Sequence, residues 1–124
     1  MSATSLTGTR ILLVEDETLV ALDLESMLAG AGCEVIGPVP SVAAAVAKLD
    51  CQAVDGALLD VNLGKETVYP LADRLRQRGV PYVFLTGYGS ETLPDIHRDR
   101  PLVLKPFDPR KVLSTLAFSL SHPD

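Results

Sequence analysis

The chain reads as an α/β domain, a doubly wound parallel sheet with helices on both faces. Three observations lead there. Short apolar runs alternate with stretches of helical periodicity along the sequence. The runs are apolar without polar-out alternation, as strands covered on both faces must be. Polar, reactive residues follow directly after several runs, where the carboxyl ends of parallel strands line a ligand crevice.

The first strand is "RILLV" (10–14). Val20, Leu24, Met27, Leu28 and Ala31 then fall on one helical face, and Gly32 is a natural C-terminal stop. "CEVIG" (33–37) is the second strand. Ser41 is placed to cap a helix that turns Val42, Ala45, Val46 and Leu49 to one side. "AVDGALLD" (53–60) is the third strand. Leu71, Ala72 and Leu75 mark a third helix, with Pro70 tolerated in its first turn and Gly79 at its end. "YVFL" (82–85) and "LVL" (102–104) are the fourth and fifth strands. Asp108 and Pro109 read as N-cap and N1 of a last helix with Val112, Leu113, Leu116 and Leu120 inward. Between the fourth and fifth strands, Pro94 interrupts a segment whose apolar anchors, Leu93 and Ile96, are too few for a full amphipathic helix. A short or irregular fourth helix is expected.

The 124 residues suit one domain, and a hydrophobic content of 47% supports a proper core. With a net charge of -5 and no basic cluster, direct nucleic-acid binding is not expected. Cys33 and Cys51 have neither metal nor redox spacing and fit a reducing compartment. No apolar run has membrane-spanning length. "MSATSLTGT" lacks a charged region and a long apolar stretch, so residues 1–9 read as a flexible tail ahead of a domain at 10–121, not as a signal peptide. A cytoplasmic protein is expected.

The chemistry starts at "ILLVEDE" (11–17), where an apolar run meets three acids. Asp60 follows the third strand, Thr86 and Gly87 the fourth, Lys105 and Pro106 the fifth. If the first and third strands are neighbours, Glu15, Asp16 and Asp60 converge, with Thr86 and Lys105 approaching from the other side. Clustered carboxylates repel unless a hard cation holds them. Oxygen ligands without histidine favour magnesium or manganese over zinc. A carboxylate can itself be the nucleophile and form an aspartyl phosphate, with metal, lysine and threonine serving the phosphoryl oxygens.

"LLVEDE", "ALLDVNL", "FLTGYG" and "LVLKPFD" together resemble the motifs of two-component response-regulator receiver domains, over residues 10–121. The resemblance implies a five-stranded sheet of flavodoxin-like order 2-1-3-4-5. It implies Asp60 as phosphoacceptor, and Glu15, Asp16, Asp60 and the Asn62 carbonyl as the Mg2+ site. Thr86 is then the switch hydroxyl and Lys105 the phosphoryl-binding lysine, with Pro106 after it in what is often a cis bond. Donors would be phosphohistidines on a sensor histidine kinase or a histidine phosphotransfer protein. The role is a signalling one, through protein contacts, and not that of an enzyme. The usual strand-five aromatic is replaced by Leu102, and the usual Ala or Ser after the threonine by Gly87 and then Tyr88. "FLTGYG" with a weak fourth helix resembles the FAT GUY receivers, often single-domain or paired with HWE-type kinases. The switch surface is then expected to be rewired around 86–101, with Tyr88 taking over part of the signalling.

Plainer readings stand beside these. Asp16 alone reads equally well as a helix cap, and Glu17 as first-turn helix charge. "DIHRD" (95–99) reads as a solvated loop, and His122 lies at a frayed end. Arg74, Arg76 and Arg78 read as a solvated face and helix C-terminal charge. Tyr69 and Phe107 read as packing residues. No GxxxxGK[ST] or GxGxxG pattern supports nucleotide binding. The rival function is a metal-dependent phosphohydrolase of small molecules. The haloacid-dehalogenase type carries Asp-x-Asp after its first strand, whereas this chain has "EDE" there and its candidate nucleophile on the third. A pseudo-receiver is disfavoured by the intact Asp60, Thr86 and Lys105. Ending at Asp124, soon after the last helix, the chain is expected to be a single-domain regulator, with the receiver of a larger regulator as the alternative.

Overall fold

The computed structural model describes residues 6–122. Five parallel strands form the sheet: β1 (Arg10–Val14), β2 (Glu34–Val39), β3 (Gly56–Asp60), β6 (Tyr82–Thr86) and β7 (Leu102–Leu104). Their order is β2-β1-β3-β6-β7. With the small antiparallel pair β4 (Asn62–Leu63) and β5 (Glu66–Thr67) set aside, that is the expected 2-1-3-4-5. The helices are α1 (Thr18–Gly30), α2 (Val42–Cys51), α3 (Tyr69–Gln77) and α4 (Pro109–Ser121).

Alternate residues of each strand feed two cores. Leu12, Val14, Leu59 and Phe84 pack toward α2 and α3. Ile11, Leu13, Leu58 and Leu85 pack toward α1 and α4. This is why the strands read as unbroken apolar runs. Each such side chain contributes roughly 1.5–3 kcal/mol by leaving water. The caps agree with the sequence: the Ser41 hydroxyl accepts from Ala44 N–H at 3.2 Å, and the Asp108 carboxylate from Arg110 N–H at 2.9 Å. Gly32 has φ +90°, a conformation that glycine enters without cost after α1.

Several expectations need correction. β2 runs on to Val39, two residues past Gly37. β3 begins only at Gly56, because Asp55 is used to clip the start of β1: its N–H donates to the Arg10 carbonyl and its carboxylate accepts from Arg10 N–H, both at 2.8 Å. The β4–β5 hairpin was not legible in the sequence. Residues 87–101 hold two short 3-10 turns, Ser90–Thr92 and Asp95–His97, in keeping with the irregular segment expected there. His97 is not solvated: it is buried among aromatic rings and bonded at both nitrogens. Arg76 pairs bidentately with Asp99, and Arg78 with Asp50 and the Leu49 carbonyl. Tyr69 and Phe107 pack against the two cores as expected. Of the N-terminal stretch, residues 1–5 lie outside the described residues, while Leu6 packs into the α1/α4 core.

Leu58→Ala should cost about 2–5 kcal/mol, since a central strand cannot close the void. Leu19→Ala, on the outer face of α1, should change stability by less than about 0.5 kcal/mol. Urea unfolding of the two variants checks both.

Candidate functional site

The site is built by strand register. β1 and β3 are parallel neighbours with Val14 opposite Leu59, so Glu15 and Asp60 emerge side by side just past the ladder. The chain turns to β2 on one side of β1 and to β6 on the other side of β3, so this is where strand order reverses. One carboxylate oxygen each from Glu15, Asp16 and Asp60 lie within 4.8 Å of one another. Glu15 and Asp60 are buried, and Asp16 faces solvent.

Lys105 arrives from β7. Its backbone N–H donates to the Thr86 carbonyl at 2.8 Å, continuing the β6–β7 ladder by one residue. Its Nζ then stands 3.2 Å from Asp60 and 3.5 Å from Glu15. The peptide bond to Pro106 is cis. Thr86 ends β6, is buried, and accepts from Tyr88 N–H on Oγ1 at 3.2 Å. Its hydroxyl proton is left to donate elsewhere. Tyr88 is 64% exposed beyond Gly87. Leu102 is half-buried against the α2/α3 core. Asn62 begins β4, two residues past Asp60, and is exposed.

The hairpin shapes the loop after Asp60. Gly64 turns it with φ +66°, close enough for an added Cβ to lie 3.7 Å from Asp16 Oδ2. Glu66 reaches across to accept from Val42 N–H at 3.1 Å, tying the loop to the start of α2. Sequence reasoning missed Glu66, and only its spacing in a "GKET" turn hinted at a hairpin.

The electrostatics are those of crowded acids. Burial, followed by the hydrogen bond to Asp60 and its charge, pushes the Glu15 carboxyl up to about 7, against the Glu17 N–H and Lys105. For Lys105, burial favours the neutral amine, but attraction to Asp60 and Glu15 outweighs it and the pKa lies above its ordinary value. The ammonium therefore persists at neutral pH. Three carboxylates face one ammonium with no nitrogen or sulfur ligand among them. That donor set fits a hard divalent cation.

Residues 11–117 match the response regulator receiver domain family. The chain belongs to that family. This receiver is 34% identical over 118 residues to the phyllosphere-induced regulator PhyR of Methylorubrum extorquens, covering 91% of this chain and 44% of that protein. The chain spans about half the length of the curated relatives it matches. It is 41% identical to SdrG from Sphingomonas melonis Fr1, with TM-score 0.79 and 98% and 99% of the two chains covered. Against the BeF3-activated conformation of SdrG from Pseudomonas melonis Fr1 the identity is 40% and the TM-score 0.74, covering 94% and 99%. Receiver domains are signalling modules of two-component systems, not enzymes in the ordinary sense. Among the described residues, no helix is long and apolar enough to cross a membrane.

The protonation of Glu15 has a measurable consequence. Without a cation the folded receiver keeps a proton that the unfolded chain loses, so stability should fall as pH rises from about 4.5 to about 7. A divalent cation held by these carboxylates, directly or through a water on Glu15, would compete with that proton. Its affinity should therefore weaken below about pH 7, by up to roughly tenfold per pH unit for one proton. Titration with Mn2+ at pH 6 and pH 8 checks this, and equal affinities would show that Glu15 is ionised throughout.

Proposed function

We propose that this receiver takes a phosphoryl group onto Asp60 from a phosphohistidine and signals through protein contacts. One observation carries the reading: a buried Asp60 at the end of β3, with the Lys105 ammonium 3.2 Å away and Glu15 and Asp16 alongside. An Asp60 carboxylate oxygen attacks phosphorus. An O–P bond forms, the P–N bond to the donor imidazole breaks, and its electron pair stays on the ring nitrogen. Lys105 turns from Asp60 to a phosphoryl oxygen, and the Thr86 hydroxyl donates to another. Asp16 and Asp60, with the Asn62 carbonyl, would hold Mg2+, and Glu15 would hold a water of the ion. When bound, that ion neutralises charge on the phosphoryl oxygens.

The receiver unit is proposed to span 10–121, which the family match over 11–117 supports; of the expected 1–9 tail, residues 6–9 pack against the domain through Leu6 and the Gly8 and Thr9 backbone. "FLTGYG" and the irregular segment after Thr86 favour a FAT GUY-type receiver. The donor is then a sensor histidine kinase, of HWE type in this reading, or a histidine phosphotransfer protein, in the cytoplasm. That SdrG, at 40% identity, has a BeF3-activated conformation supports activation by acyl phosphate chemistry here. A hydrolase reading has less support, because the family match is to receiver domains and the candidate nucleophile lies on the third strand.

Acetyl phosphate with Mg2+ should produce an acid-stable, base-labile phosphoryl adduct, followed by intact mass. Asp60→Asn should abolish it. An adduct forming in that variant at the original rate sinks the assignment.

The output route is proposed to run through 86–101. Leu102 has no hydroxyl to swing inward, while Tyr88 stands exposed two residues from Thr86 and bonded to it through its backbone. Tyr88→Ala should weaken binding to a downstream partner by tenfold or more, as loss of an exposed aromatic anchor does, while the rate of adduct formation stays unchanged. Equal partner affinities would place the output surface elsewhere.

A further inference from the structure

His97 is the one buried histidine among the described residues, and the phosphoacceptor site does not use it. Its Nδ1 lies 2.7 Å from the Tyr82 hydroxyl and its Nε2 2.8 Å from Asp73 on α3. A carboxylate only accepts, so Nε2–H donates to Asp73, while Nδ1 pairs with the Tyr82 hydroxyl, which can donate to it. The ring also stacks on Tyr69 at 6.0 Å and meets Phe84 edge-on at 5.8 Å. Tyr82, Phe84 and Thr86 alternate along β6, and the two aromatics face the same core. His97 is thus a plug inserted from the segment after the switch threonine into the strand that carries it.

The two halves of that segment are held very differently. The far half has the His97 plug, buried Leu93, and Arg100 over the Tyr82 ring at 4.9 Å. Arg98 donates to the Leu93 carbonyl at 3.0 Å and the Glu91 carbonyl at 3.1 Å. The near half, 87–92, has no buried residue; it holds Tyr88 N–H on Thr86 and Thr92 on the Gly89 carbonyl, and meets the far half through the Ser90 and Glu91 carbonyls, which accept from Leu93 N–H and Arg98. Withdrawing His97 would take from the buried Tyr82 O–H its acceptor and leave that hydroxyl only the Arg76 guanidinium, which can donate to it but not accept. Moving 87–92 costs a buried group only the Tyr88 N–H bond to the Thr86 hydroxyl. The Arg76–Asp99 pair adds little, being exposed.

We propose that the Tyr82–His97–Asp73 chain is a latch that pins residues 93–100 to β6 and α3, so that rearrangement at the phosphoacceptor site is confined to 87–92. The pinned half is the fixed end against which Thr86 draws the near half, and His97 is a positioning residue for it. Only the last step, movement on activation, rests on the proposed phosphoacceptor role.

Amide exchange and histidine 15N spectra of the full chain test this, with and without beryllofluoride and Mg2+. In the wild type, amides of 95–100 should exchange at least about tenfold more slowly than those of 87–92. Beryllofluoride should alter 87–92 and leave the His97 15N shifts, which report its tautomer, where they were. Asp73→Ala, a surface change that spares the core, should speed exchange in 95–100 by up to about tenfold and let the beryllofluoride response spread into 93–100. Asp73→Asn, whose amide oxygen still accepts, should restore the wild-type pattern. Tyr82→Phe should behave like Asp73→Ala. Equal exchange in the two halves, a His97 shift on activation, or an Asp73→Ala variant indistinguishable from wild type overturns the latch. If beryllofluoride leaves Asp60 and Thr86 resonances unmoved, the phosphoacceptor reading fails instead, and the comparison without it still decides the latch.

Discussion

Three carboxylates at the end of a buried sheet, with one ammonium among them, are the constraint around which the rest is arranged. Two unit charges 4 Å apart interact by about 4 kcal/mol at an effective dielectric near 20. At Glu15 burial and the neighbouring Asp60 together disfavour a second ionised carboxylate. Lys105 offsets part of this penalty through contacts at 3.2 and 3.5 Å. The remainder is relieved in one of two ways. Glu15 keeps its proton to near neutrality, or a cation takes the proton's place. A phosphoryl group would add further negative charge to the same pocket. The pocket is therefore acidic enough to demand positive charge and has only one built-in source of it.

That balance depends on backbone register more than on side-chain packing. A one-residue slip of β1 against β3 would turn Leu58 and Leu59 to the wrong cores and separate Glu15 from Asp60. The two unbroken cores thus guard the site geometry. Thr86 and Lys105 are coupled in the same manner, because the Lys105 N–H on the Thr86 carbonyl is a rung of the sheet. Thr86 and Lys105 are thus carried by one ladder, from which the Lys105 ammonium reaches Asp60 and Glu15. The hairpin on the other side, held to α2 through Glu66, fixes how the chain leaves Asp60.

What the sequence made legible follows from what leaves a periodic or positional trace. Strands buried on both faces give apolar runs, and their carboxyl ends mark the crevice, so the sheet and the positions of Glu15, Asp60, Thr86 and Lys105 could be read directly. Ser41 and Asp108 were legible as caps because capping uses a fixed spacing. The hairpin was not, since two-residue strands carry no periodicity. His97 was read as solvated because a histidine between two aspartates and an arginine in a proline-broken loop looks polar. Its burial comes from Tyr69, Tyr82 and Phe84, which lie far away in sequence. The outermost turns of β3 were overread for the opposite reason. Val54 is apolar enough to suggest a strand, but Asp55 closes the backbone onto Arg10 before the ladder to β1 begins.

The irregular segment after Thr86 has a cost and a use. A full helix would cover the face of β6 and β7 that here carries Leu102 half-buried and Leu104 52% exposed. Two 3-10 turns supply much less apolar area: of residues 87–100 only Leu93, between the turns, and His97 are buried. The deficit is made up by polar contacts that are satisfied inside the core, where a hydrogen bond is strong and a missing one is costly. Such contacts are directional and tolerate little sliding. An apolar helix can shift along a sheet in small steps, but a histidine bonded at both nitrogens is either seated or not. Replacing a helix by a plug of this kind leaves one end of the segment rigid and the other thinly packed. The thin end begins at Thr86, on the strand next to the one that carries Asp60, and there a change of charge can do structural work without disturbing either core.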